Sequence, residues 1–465
     1  MNKHLVLSDY RAYRHQLSMS FLCDGYRFNT TYWYEGIVFE ELIKQHGEPI
    51  VKKIIFHIIA FEINKFASLA PDSIDFGPLA DYVTPKFAEL WSLIFKHVWG
   101  QWRFENNLPD YQGPSIVVSE SGRTDKAISV MPGLVPVISF CGGGKDSLVA
   151  AKLLERAGIP FSSLAYASSI YGQAGPQLGL IDALLDQTAV VNRHRQWVYD
   201  DFLDSPVLSM LPDQKIKTLC AAETPSSIFG CMPFVLQRGY TRVVLGHERS
   251  ADNGNMVWSK TGEEINHQWG KSYEAETAIQ KYISEELIAN LIVGSVLKPI
   301  YDVMIFNLLK KDSDKIKYTH SCNVRKPWCM KCPKCAYVWL NYMAYLPIEK
   351  VDAMFHQNLF DIPENQTWFE QLLGLAEHTP FECVGQPEET KIAFELCRRK
   401  GLTGTAMDRY IKAFPNPDLT GHVDALLAID DRRTMLPGDV MSGILPQMYE
   451  CQRTATVELK NLLKP

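Results

Sequence analysis

The chain lacks any long apolar run, any excess of positive charge and any evenly paired set of cysteines, and each absence removes a class of protein. Its most apolar stretch, Ile54 to Phe61, contains His57 and is bracketed by Lys52, Lys53 and Glu62. That is too short to span a bilayer and reads as a buried helix, with no membrane partner expected. A formal net charge of −6 leaves no basic footprint for nucleic acid. Eleven cysteines, an odd number, with no secretion pattern after Met1-Asn2-Lys3-His4, argue against a disulfide framework and for a cytoplasmic chain. Internal repeats and low-complexity tracts are missing too. What remains is the composition of an ordinary globular protein: 46% hydrophobic and 22% charged over 465 residues, enough for two or three domains.

Turn and periodicity signals divide the chain into 1–130, 131–315 and 316–465. The first part reads as an amino-terminal α+β module. Leu17 to Trp33 is rich in aromatic and β-branched residues around Asp24-Gly25, which predicts a hairpin. Helical patterns follow over about Pro49–Ser68 and Pro85–Asn106, and Gly113-Pro114 and Met131-Pro132-Gly133 punctuate the exit. In the second part, strand-like runs at Val135–Phe140, Phe161–Ala167, Thr188–Val191 and Arg242–Leu245 alternate with helical ones. This predicts an α/β fold, a parallel sheet with helices on both faces. From 340 onward the pattern is helical, with turn signals near Pro363 and Pro415-Asn416-Pro417.

The most informative stretch is Val137-Ile-Ser-Phe-Cys-Gly-Gly-Gly-Lys-Asp-Ser147. A strand meets Gly142, Gly143 and Gly144, and then a helix begins with Leu148, Ala151, Leu153, Leu154 and Ala157 at helical spacing. Glycines allow close backbone approach, and the N–H groups at a helix start point at an anion. Lys145 would add a charge and Ser147 a hydroxyl. The spacing is neither Walker A nor the dinucleotide fingerprint. Gly143-Gly144-Lys145-Asp146-Ser147 resembles the Ser-Gly-Gly-x-Asp-Ser loop of the PP-loop ATP pyrophosphatases, with Gly142 in place of the first serine. That resemblance implies an adenine nucleotide α hydrolase-like fold and cleavage of ATP between the α and β phosphates. It also implies Gly143, Gly144 and Ser147 on pyrophosphate and Asp146 near Mg²⁺.

Seven cysteines, Cys23, Cys141, Cys220, Cys231, Cys383, Cys397 and Cys451, are scattered and read mostly as small core residues. Cys322, Cys329, Cys332 and Cys335 instead fall within fourteen positions. Two overlapping Cys-x-x-Cys steps closed by Cys322 suit a structural Zn²⁺ knuckle, with Lys326, Lys331 and Lys334 offsetting the thiolate charge. An iron–sulfur cluster and a redox dithiol are the alternatives.

Between these motifs, Gly246-His-Glu-Arg-Ser-Ala-Asp-Asn-Gly-Asn255 leaves the Arg242–Leu245 strand at the ligand-binding edge of such a sheet. With Asn266-His-Gln-Trp-Gly-Lys-Ser272, Ser321-Cys322-Asn323, Trp328 to Cys335 and Pro380-Phe-Glu-Cys-Val-Gly385, it forms a linked set. Their order resembles the glycopeptidyl-glutamate epimerases, over about residues 135–400. Glu223-Thr224-Pro225-Ser226-Ser227 departs from a Gly-His-Val-Pro-like stretch of that family. The resemblance implies use of ATP and Mg²⁺ to invert the terminal L-glutamate of UDP-N-acetylmuramoyl-L-alanyl-L-glutamate in peptidoglycan synthesis, or of another acyl or peptide substrate.

Inversion needs two proton-transfer groups on opposite faces or one that swings. His247, Glu248, Asp252, His267 and Lys271 are the candidates, the last two sharing a face if that segment is helical. Arg249, with Asn255, Asn266 and Ser272, is expected to bind substrate, its fork suiting a second carboxylate. A PP-loop synthase that adenylates and then amidates, as the deazaguanine enzymes do, is the alternative. A non-catalytic nucleotide sensor is a third reading.

Overall fold

The computed structural model describes residues 3–119, 126–202, 205 and 223–464, and Cys220 lies outside them. Twelve strands are present among these residues. They are β1 (His4–Tyr13), β2 (Gln16–Cys23), β3 (Tyr26–Tyr34), β4 (Ser73–Asp75), β5 (Ser115–Ile116), β6 (Val137–Cys141), β7 (Phe161–Ser168), β8 (Asn192–Asp200), β9 (Arg242–Leu245), β10 (Met256–Val257), β11 (Glu264–Ile265) and β12 (Ile292–Ser295). Ten form one sheet in the order β12-β9-β6-β7-β8-β3-β2-β1-β4-β5. The five strands from β12 to β8 are parallel, whereas β3 joins β8 antiparallel and continues into the β1–β3 meander.

One sheet therefore runs across the boundary expected near residue 130. Thr30 to Tyr34 pairs with Asp200 to Gln196, so the amino-terminal strands extend the central sheet. The hairpin forms as its turn chemistry requires: Cys23 faces Tyr26, with Asp24 at φ 49° and Gly25 at φ 81° between them.

Both faces of the parallel strands are covered, and alternate residues show it. Val137, Cys141, Phe161, Ala165 and Val244 enter one apolar core with the Lys145–Arg156 and Asp302–Leu309 helices and the carboxyl-terminal helices. Ile138, Leu164, Val243 and Leu245 enter the other, with the Glu48–Glu62, Pro85–Val98 and Tyr273–Tyr282 helices. Of the predicted strands, Thr188–Val191 is corrected. Those residues are a turn, and the strand is the following β8. Its inward residues His194, Gln196 and Asp200 are buried but polar, which hid the strand from a hydrophobicity pattern.

From residue 333 the chain is helical as expected, ending in the 26-residue helix Gly438–Leu463. No described helix is long and apolar enough to cross a membrane. Cys23, Cys141, Cys231, Cys397 and Cys451 are buried, as core cysteines should be.

Candidate active site

β6 and β9 are neighbours, but the chain leaves β6 for β7 on one side and β9 for β12 on the other. In open α/β sheets the crevice beyond the strand ends at such a reversal is where ligands bind. A cavity of about 260 Å³ lies there, lined by Gly142, Gly144, Asp146 and Ser147 from the loop after β6 and by Gly246 and His247 after β9.

The glycine loop is shaped by what touches it. Gly143 has φ +85°, and a Cβ there would lie 1.8 Å from the His320 ring, so only glycine fits. The His320 N–H donates to the Gly143 carbonyl at 2.8 Å. Its ring lines the cavity wall, with both nitrogens buried and without a hydrogen-bond partner among the described residues. Burial pushes the His320 pKa down to about 4. Gly142, by contrast, is exposed with open space around it, and its N–H donates to the Ser147 hydroxyl at 3.2 Å.

Lys145 does not line the cavity. Its ammonium turns into the core, 1% exposed, between Asp146 Oδ1 at 2.6 Å and Asp302 Oδ1 at 2.7 Å. Burial opposes its charge, and the two carboxylates outweigh that and hold its pKa well above the ordinary range. Tyr337 donates to the other Asp302 oxygen at 2.9 Å.

Cationic charge in the cavity comes instead from Lys271, Lys326 and Lys334. Lys326 and Lys334 thus face the cavity as well as flanking the cysteine cluster, whereas Lys331 pairs with Glu364 at the surface. An open glycine turn, an unpartnered imidazole and three lysines form a donor set that fits a polyphosphate.

The opposite wall is made of two segments stitched together. Asn255 Nδ2 donates to Thr379 Oγ1 and to the Pro380 carbonyl, both at 2.9 Å, while its Oδ1 accepts the His267 N–H at 2.8 Å. Gln268 Nε2 donates to the Val384 carbonyl at 2.9 Å. Lys334 donates to the Cys383 carbonyl. A Cβ on Gly385 would sit 2.1 Å from the Tyr337 hydroxyl, so glycine there lets the loop press onto the Pro333–Tyr345 helix.

The expected helical face for His267 and Lys271 is absent. Residues 269–271 form a short 3₁₀ turn preceded by Gln268, and the helix starts at Tyr273. Both side chains nevertheless converge on Cys383. Lys271 Nζ donates to its sulfur at 2.9 Å, and a His267 ring nitrogen, a Glu382 oxygen and the sulfur lie within 4.8 Å of one another. His267 Nδ1 is fixed by Gln101 Oε1 at 2.6 Å. Burial alone would lower the His267 pKa, and Cys383 raises it above the usual value. Half-buried His247 is pushed well below its usual range by burial and by Lys271 and Lys298, so its imidazole is neutral. Glu248 is buried; despite that, Lys145, Lys271 and Lys334 bring it down to about 2, so it is ionised.

The remaining candidates lie elsewhere. Asp252 accepts from Lys298 at 3.1 Å, from the Tyr273 N–H at 2.8 Å and from Arg433. With Asn266 and Ser272 it lines a separate groove of about 410 Å³. Ser272 caps the Tyr273–Tyr282 helix, and Asn266 holds the Ala251 carbonyl. Arg249 stacks over Tyr301 at 4.7 Å and is absent from both linings. Sequence reasoning missed Lys298, 0% exposed, which donates to the Glu248 and Lys271 carbonyls at 2.8 and 2.7 Å and ties the two halves of the polar segment together. It also missed Cys383 as a member of the site.

The four clustered cysteines converge, their sulfurs all within 4.8 Å of one another. Cys322 and Cys332 are 3.8 Å apart, as are Cys329 and Cys335. Thiolates at about 2.3 Å from one tetrahedral ion are separated by about 3.8 Å, so the set fits Zn²⁺. The N–H groups of Val324 and Arg325 donate to Cys322 Sγ, and that of Cys335 to Cys332 Sγ, each at 3.4 Å. His320, Lys326 and Lys334, which flank the cysteines in sequence, line the same cavity as the glycine loop.

Two family models match this chain: the MurL N-terminal domain over residues 227–293 and the MurL C-terminal domain over residues 315–410. Similar curated proteins carry the name UDP-N-acetyl-alpha-D-muramoyl-L-alanyl-L-glutamate epimerase. One from Micromonospora sp. is 31% identical over 56% of this chain and 56% of its own length. Another, from Salinispora tropica, is 29% identical over 56% of this chain and 55% of its own. A third, from Xanthomonas oryzae pv. oryzae, is 26% identical over 82% of this chain and 83% of its own. The match thus spans little more than half the length of the first two relatives. Both domain models match in order and the relatives carry one name, so over these segments the chain is similar to the MurL proteins.

Proposed function

We propose that this chain is an ATP-dependent epimerase that inverts the terminal L-glutamate of UDP-N-acetylmuramoyl-L-alanyl-L-glutamate, releasing AMP and pyrophosphate. The observation that carries the reading is a single cavity with an open, lysine-flanked glycine loop on one wall and a group of proton-transfer side chains on the other. The relatives' names supply the substrate.

An α-proton beside an ionised carboxylate is hardly acidic, because its loss would place a second negative charge on adjoining carbons. Adenylation of that carboxylate, the chemistry bound ATP would supply, removes the first charge. The N–H groups of the glycine loop, Ser147, Lys326 and Lys334 would hold the phosphates, and Asp146 at the cavity edge would take Mg²⁺. Lys271 would stabilise the enolate-like oxygen that develops when the proton leaves. The neutral His247 imidazole is in the protonation state that a base needs. Zn²⁺ on the four cysteines, with no open position, would be structural.

The test is incubation with ATP, Mg²⁺ and the muramoyl dipeptide in deuterated water. D-glutamate bearing deuterium at the α carbon, together with AMP, is the expected result. Equally fast α-exchange without ATP would overturn the mechanism, and AMP without inversion would move the assignment to an amidating synthase.

A further inference from the structure

We propose that Cys383 is one of the two groups that move the α-proton, its sulfur acting as base on one face of the substrate and as acid in the reverse direction. The inference rests on the epimerase reading above and deepens it.

Cys383 lines the same cavity as the glycine loop. Its sulfur accepts from Lys271 Nζ at 2.9 Å and has His267 beside it, so two cationic or hydrogen-bonding groups flank it. The loop that carries it is fixed residue by residue. The Cys383 N–H donates to Glu382 Oε1 at 2.8 Å, its carbonyl accepts from Lys334, and Gln268 and Asn255 hold the residues on either side. Asn323 Nδ2 holds the same Glu382 oxygen at 2.9 Å. Nothing in apolar packing requires a thiol to be clamped against an ammonium in this way.

Comparison with the chain's other thiols supports the assignment. Burial pushes Cys23, Cys141 and Cys451 up to about 11 and Cys397 up to about 12. Burial pushes Cys383 upward too, but Lys271, His267 and Lys334 bring it down to about 7. Near neutral pH it is divided between thiolate and thiol, which suits a group that must accept and return a proton.

The step balances without a co-reactant beyond the adenylated substrate. The Cys383 thiolate takes the α-proton, so an S–H bond forms as the C–H bond breaks, and the electron pair enters the adjoining acyl group. A proton from water, relayed by the neutral His247 imidazole at the β9 end, adds to the other face: one ring nitrogen takes a proton from water as the other gives its own to the carbon, so the ring ends neutral. The thiol then gives its proton to water. His267 is a positioning residue for the sulfur, and Lys271 holds the sulfur in addition to its role at the enolate-like oxygen.

The experiment uses the full chain and its Cys383→Ala and Cys383→Ser variants with the muramoyl dipeptide. Both variants are expected to retain substrate-dependent exchange of labelled pyrophosphate into ATP, and to lose deuterium incorporation at the α carbon by about 10²–10⁴-fold. Iodoacetamide labelling of Cys383, followed by peptide mass spectrometry, gives a readout free of any folding defect. Its rate in the unsubstituted chain is expected to be half-maximal near pH 7, and to shift toward about pH 8.5, an ordinary thiol value, in Lys271→Met. Alpha-exchange in Cys383→Ala within tenfold of the unsubstituted chain would overturn the assignment alone, as would a labelling midpoint that ignores Lys271. An unsubstituted chain that exchanges neither pyrophosphate nor the α-hydrogen would overturn the functional reading, and this inference with it.

Discussion

Replacing Asp302 by Asn asks whether the Lys145 ammonium is held inside the protein by charge. Lys145 is 1% exposed and Asp302 2% exposed by side chain, and they meet at 2.7 Å. Removing one partner of a buried ion pair costs about 3–5 kcal/mol, because the other charge is left desolvated. Asp146 still accepts from Lys145 at 2.6 Å and is a quarter exposed, so the lower end, about 3 kcal/mol, applies. At about 2.1 cal/mol/K of unfolding entropy per residue, a chain of 465 residues loses about 1 °C per kcal/mol, so Tm should fall by about 3 °C. Scanning calorimetry would measure it. A second variant, Lys145→Met with Asp302→Leu, removes both charges and should recover most of the loss. A single variant within 1 °C of the unsubstituted chain, or a double variant less stable than the single, would refute the argument.

Gly143→Ala forces a side chain to φ +85° with its Cβ 1.8 Å from His320, so it should cost at least about 1–3 kcal/mol and abolish pyrophosphate exchange. Gly142→Ala, with open space around its Cβ, should leave Tm unchanged, and equal losses in the two variants would sink the steric account. Metal analysis should find one zinc per chain, lost with a fall in Tm on Cys335→Ser; full stability in strong chelator with zinc removed would contradict a structural ion. Burial pushes His57 down to about 3 and His194 and His320 to about 4, so each stays neutral in the fold while the unfolded chain binds a proton near pH 6.5. Stability should therefore fall as pH drops from 6.5 to 4, by up to about 1.4 kcal/mol per pH unit for each histidine, and the slope in denaturant melts should lessen in His194→Gln. A pH-independent denaturation midpoint over that window would be inconsistent with these buried neutral rings.

The amino-acid order by itself determined what is local. Asp24-Gly25 set its hairpin because the two-residue I′ turn needs positive φ at both positions, which Asp and Gly accept at low cost. The β6–glycine–helix unit and the four-cysteine knuckle were legible because every part lies within a few residues of the next. Tertiary structure decided the rest through contacts between distant segments. Lys271 and Cys383 are 112 positions apart, so a cysteine that reads as core packing becomes a cavity thiol only when the loop at 380–385 is clamped by Asn255 and Gln268. Lys145, expected at an anion, was drawn inward by Asp302, 157 residues away. The amino-terminal strands joined the central sheet because the polar strand β8 offered β3 a free edge of backbone donors and acceptors. Local patterns record which residues turn, coil or extend; which of two distant charges meets a third is set by the packed chain, where desolvation makes every unpartnered group costly.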